Sequence, residues 1–121
     1  MTALAPLHDV SAATLAAIGA AAPALDAEPA FPEAAFNALA ADGALALTLD
    51  PEVDRAREWA VARADGSVGR LYEGHLNGVE RIAVAAPEPL RSLELAAVRE
   101  GRLRLGVWGA DPGPGGGERL G

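Results

Sequence analysis

ADGSVGRLYEGHLNGVERI, residues 64–82, decides how this chain is read. Val68, Leu71, Tyr72, His75, Leu76, Val79, Ile82 and Ala83 recur at the i, i+3, i+4, i+7 positions of one helical face. Arg70, Glu73, Asn77, Glu80 and Arg81 take the opposite side, where Glu73 and Glu80 read as solvated charge. Asp65-Gly66-Ser67 breaks the chain just before, and Ser67 is the predicted N-cap. Gly69, Gly74 and Gly78 interrupt the pattern. Each costs up to about 1 kcal/mol against alanine inside a helix. In return, a neighbouring helix or a flat ligand can approach the backbone closely. His75 lies in the apolar stripe and has two readings: a core histidine bonded to a backbone carbonyl, or a residue facing a reaction site.

Working outward, Ser11 caps a helix carrying Leu15, Ile18, Ala22 and Leu25, which Pro23 is expected to limit. A second helix opens at Pro32, carries Phe36, Leu39 and Ala40 on one side, and ends at Asp42-Gly43. ALALTLD, residues 44–50, alternates as a short extended piece. Asp50-Pro51-Glu52 restarts a helix whose inner stripe is predicted to be Val53, Ala56 and Ala60, with Trp59 on the flank. Pro87 and Pro89 end the long helix, and residues 90–100 form another that Gly101 closes. The period then shortens to two over Arg102-Leu103-Arg104-Leu105-Gly106-Val107, the pattern of a half-buried strand. GADPGPGGGERLG follows, too rich in glycine and proline for regular structure. A lone strand is not stable by itself. The chain therefore reads as four or five helices followed by the first strand of something absent.

Composition narrows the functions. The chain has 121 residues, enough for one domain that buries roughly two-thirds of its unfolded surface. Half of its residues are hydrophobic but only 4% are aromatic, which favours thin, closely packed helices over a bulky β core. A net charge of −7 with no basic cluster argues against nucleic acid as a partner. All ten cationic side chains are arginine, so there is no lysine for a Schiff base or a P-loop. With no cysteine there is no disulfide, thiolate nucleophile or zinc–thiolate site. His8 and His75 stand far apart in sequence, and no metal site is expected. The glycine-rich tail lacks a GxxxxGK[ST] motif and opens no helix, so it reads as a loop. No run approaches the roughly 20 apolar residues of a membrane span, and no signal peptide is read at the start. The expectation is a soluble, cytoplasmic protein.

Two stretches together add a family resemblance. ADGSVGRLYEGHLNGVERI resembles the long helix in the N-terminal half of the acyl-CoA dehydrogenase superfamily, with its D-x-S start. GRLRLGVWGADPGPGGGERL is similar to the family's passage from helical domain to middle β-domain. The resemblance implies a mostly α fold: the N-terminal helical bundle over residues 1–101, and the start of a truncated β-domain over 102–121. It implies FAD, or FMN in its place, with Trp108, Gly109, Ala110 and Asp111 beside the flavin. Asp111 stands where the family usually has Glu, and Ala110 where it has Thr or Ser. Gly115, Gly116 and Gly117 replace the usual GSD-type loop, and LTLDPEVD replaces an early P-x-x-x-G-G motif. The family's catalytic glutamate belongs to the C-terminal half. The implied reaction is hydride transfer from an acyl-CoA C–H to flavin, in a homo-oligomer or with a complementing C-terminal half. A monooxygenase branch of the superfamily places a histidine of this helix against the flavin. By that resemblance His75 would be catalytic, donating a hydrogen bond to an oxygenated flavin or acting as acid or base. The alternative from another class is a helical interaction module, or an inactive remnant that seeks a partner chain.

Overall fold

The computed structural model describes residues 10–48 and 50–106. The fold is mostly α, with α1 (Ala12–Ala27), α2 (Glu33–Ala41), α3 (Pro51–Ala64), α4 (Gly66–Ala85) and α5 (Leu90–Arg99). α4 packs against α3 and α5, while α1 packs against α2 and α3. Val68, Tyr72, His75, Leu76 and Val79 of α4 all fall in the buried core, which Ile18, Phe36, Leu39, Val61 and Val98 complete from the other four helices. The periodicity of residues 64–82 is therefore the contact surface itself. Leu71 departs from it, being exposed.

The caps explain where the helices begin. Ser11 Oγ accepts the Thr14 N–H at 3.1 Å, and the Ser11 N–H donates to Asp42 Oδ2 at 2.8 Å, tying the start of α1 to the end of α2. Asp50 Oδ1 accepts the Glu52 N–H at 2.9 Å, with Pro51 at the first helical position. At α4 the cap is Asp65 rather than Ser67: Asp65 Oδ1 accepts the Ser67 N–H at 2.8 Å, so the helix starts at Gly66. Pro89 offers α5 no side-chain cap, and the Glu88 carboxylate takes that role, accepting from Ser92 N–H at 3.0 Å and Ser92 Oγ at 2.8 Å. Those two bonds hold the Glu88 carboxyl below its ordinary pKa, the hydroxyl contributing most.

Four further expectations need correction. Pro23 does not limit α1, which runs on to Ala27 with the proline exposed inside it. The missing donor falls on the exposed side of the helix, and Leu25 in the last turn is half-buried. Residues 44–46 turn rather than extend: Gly43, at φ 74°, leads the chain out of α2, and Ala44 and Leu45 are both buried in the turn that follows. The inner stripe of α3 is Arg57 and Val61, with Val53 and Ala60 half-buried; Ala56 is exposed and Trp59 is 61% exposed. Finally, no strand occurs among the described residues. Leu103 and Leu105 do turn toward the core, as alternation requires, but α2 and α4 side chains take the place of a partner strand. Arg104 bonds Glu33 Oε2 at 2.6 Å and also Asn37, with its guanidinium 5.9 and 5.8 Å from the Phe31 and Phe36 ring centres.

Candidate functional site

The buried turn after α2 exposes main-chain carbonyls to the protein interior, and such groups need donors. Three side chains from two helices supply them. Arg57 of α3 donates to Ala46 O at 2.8 Å and reaches Ala44 O and Gly43 O at 3.5 Å. Tyr72 of α4 donates its hydroxyl to Ala44 O at 2.7 Å. His75 Nε2 donates to Leu45 O at 2.8 Å. Tyr72 and His75 are three residues apart, so the helix places both on the same side. Asp54 completes the arrangement: its Oδ1 lies 3.6 Å from Arg57 Nη1 and accepts from the Thr48 N–H and hydroxyl at 3.2 and 3.0 Å.

His75 is fully buried, with its ring edge-on to Phe36 at 6.3 Å. The Leu105 N–H donates to His75 Nδ1 at 3.1 Å. Since Leu105 N–H can only donate and Leu45 O can only accept, the partners dictate the neutral tautomer with hydrogen on Nε2. Burial holds the His75 pKa below its ordinary value, aided by the Arg104 charge and opposed by the Leu45 carbonyl bond. Burial likewise pushes the Tyr72 hydroxyl well above its usual range, so it remains a donor across the stable pH range. Replacing Tyr72 by Phe should cost about 1 kcal/mol of stability, because Ala44 O keeps only the longer Arg57 contact. A lowered urea midpoint with an unchanged m-value checks this.

Next to this cluster lies a groove of about 550 Å³, walled by Phe31, Leu71, Gly74, Asn77, Arg104 and Leu105 among others. His75 sits behind it, touching Phe36 and Leu105, which do line it. The 102–106 segment reaches the groove by crossing α4 at Gly78, where an added Cβ would stand 2.9 Å from Leu105 Cβ. The flavin-side residues suggested by the resemblance, Trp108, Gly109, Ala110 and Asp111, lie outside the described residues, as do Gly115–Gly117 and His8. Glu73 and Glu80 are exposed, as expected. Among the described residues no group of three or more His, Asp or Glu could hold a metal ion, and no helix is long and apolar enough to cross a membrane.

Sequence reasoning missed Arg57 and Glu58. Arg57 stands four residues from both Val53 and Val61, so a cation set in an apolar stripe was the available signal. Glu58 has its pKa raised by partial burial first, then by Glu73 and Asp54. Comparison of the chain with protein-family models, curated proteins and solved structures returns no match.

Proposed function

We propose that the chain is the N-terminal helical part of a flavoprotein of acyl-CoA dehydrogenase type, in which residues 102–106 carry Trp108–Asp111 to the cofactor. The observation that supports this reading is the anchored crossover: Leu105 lies flush on Gly78 and bonds His75, and Leu105 and Gly106 line an open groove. The groove residues suit FAD or FMN. Phe31, 46% exposed, and Leu71 offer apolar surface to flat rings, Arg70 offers a cation to phosphate, and a Cβ on Gly106 would meet nothing within 4 Å. A bound flavin would supply hydride acceptance, from an acyl thioester in the dehydrogenase reading. His75 contributes by position, fixing the backbone three residues before Trp108. The oxygenase branch of the same fold would use the same wall.

The test is flavin binding. The full chain, alone and mixed with a polypeptide carrying the family's middle and C-terminal domains, is titrated with FAD and followed by flavin absorbance and fluorescence. Bound flavin is expected in at least the mixed sample, and Phe31→Ala should weaken it by about 1 kcal/mol, roughly fivefold in Kd. Free flavin in both samples would overturn the proposal. The exposed Val84, Leu90 and Leu93, clustered in sequence around the end of α4 and start of α5, favour a second reading as a helical interaction module. A concentration-dependent mass in sedimentation equilibrium without flavin binding is what that reading requires.

A further inference from the structure

We propose that His75 is a proton-operated latch that holds the 102–106 segment against α4 only while its imidazole is neutral. The inference is independent of whether the chain carries a flavin. Three parts of the chain meet at this one ring: α4 bears it, the turn after α2 accepts at Nε2, and the 102–106 segment donates to Nδ1. A second ring proton has to go on Nδ1, where it would face the Leu105 N–H, donor against donor at 3.1 Å. The Leu45 bond survives protonation and the Leu105 bond does not. The latch therefore opens on one side, toward the segment, while the turn stays attached.

Of the ties at this ring, the Leu105 N–H bond is the one that protonation removes. On the segment side the remaining ties are Leu103 and Leu105 packed on the core and on Gly78, the Arg102 and Leu103 N–H bonds to Ala97 O, and Arg104, which bonds Asn37, lies over the Phe31 and Phe36 rings and pairs with Glu33 of α2, whose carboxylate is 69% exposed. Exposed ion pairs of that kind contribute little. On the other side, Arg57 of α3 and Tyr72 of α4 hold the same turn, and burial keeps the Tyr72 hydroxyl a donor. The charge that acts on the ring is that of Arg104 from the segment, itself paired with Glu33 of α2; Arg57 of α3 serves neighbouring carbonyls of the turn, and Glu73 lies on the exposed side of α4. Arg104 adds a like charge that disfavours imidazolium in the closed state, and it leaves with the segment.

The sign follows directly. The closed-state pKa of His75 is depressed by burial and by Arg104, and opening toward the segment admits water to Nδ1 and removes Arg104, which raises it toward the ordinary value of about 6.5. Between those values the open state binds more protons, so acid favours it. The experiment is residue-resolved amide hydrogen exchange by NMR on the full chain from pH 8 to 4.5, corrected for intrinsic chemistry, with ring 15N shifts recorded in parallel. At pH 8 the ring should show the Nε2–H tautomer. Below about pH 6.5, Leu105 protection should fall by up to about tenfold per pH unit, while Leu76 and Val79 in α4 keep theirs. An Nδ1–H tautomer at pH 8 would overturn the latch. So would Leu105 protection that ignores pH, or simultaneous loss at Leu105, Leu76 and Val79, which is global acid unfolding.

Discussion

Replacing Arg57 by alanine is expected to lower the free energy of unfolding by about 3–5 kcal/mol. The side chain is only 3% exposed. Its guanidinium serves the turn carbonyls of Gly43, Ala44 and Ala46 and stands 3.6 Å from Asp54. Alanine removes all of these at once, takes the cation from beside Asp54, which keeps its two Thr48 bonds, and opens a cavity. Small domains have a total stability of about 5–15 kcal/mol, so the variant should sit near the edge of folding. Two further variants separate the causes. Arg57→Met keeps most of the volume and loses the donors, and should still lose most of the stability. Arg57→Lys keeps charge without the planar fork and should fall between. A urea midpoint for Arg57→Met close to that of the unaltered chain would show that volume, not carbonyl satisfaction, is what Arg57 provides.

The second large effect is expected at Gly69. A β-carbon there would stand 2.6 Å from Ala62 Cα, 2.7 Å from Ala62 Cβ and 3.0 Å from Ala62 N. Two of those atoms are backbone, so α3 and α4 must move apart rather than repack. Gly69→Val should cost about 3 kcal/mol, which the better helix propensity of valine offsets only by a few tenths. Ala62→Gly should not rescue it, because the Ala62 Cα and N contacts remain. Gly66→Ala is the control: nothing lies within 4 Å of its added Cβ, and the change should stay within about 0.5 kcal/mol. A thermal or urea midpoint for Gly69→Val equal to that of Gly66→Ala would contradict the close helix crossing.

The glycines of α4 thus divide by what they meet. Gly69 admits a helix and Gly78 admits the 102–106 segment, while Gly74 lines the groove. From spacing alone, the alternatives of neighbouring helix and flat ligand stood side by side. The structure assigns two of the three to protein contacts, since only folded neighbours distinguish one glycine from another. His75 is similar. Its place in the apolar stripe foretold burial, but its two backbone partners lie 30 residues away in either direction.

By itself, the sequence determined the helical order and the face that α4 buries. It also determined the breaks at Asp42-Gly43, Asp50-Pro51 and Gly101, where local backbone chemistry suffices. These features depend on neighbours within a few residues. Only the tertiary structure decided that Arg57 is a core residue, that Ala44 and Leu45 are buried in a turn, and that Leu105 closes on His75. Hydropathy records what side chains gain by leaving water. It does not record which main-chain carbonyls will be left inside, and those carbonyls are what Arg57, Tyr72 and His75 are placed to satisfy.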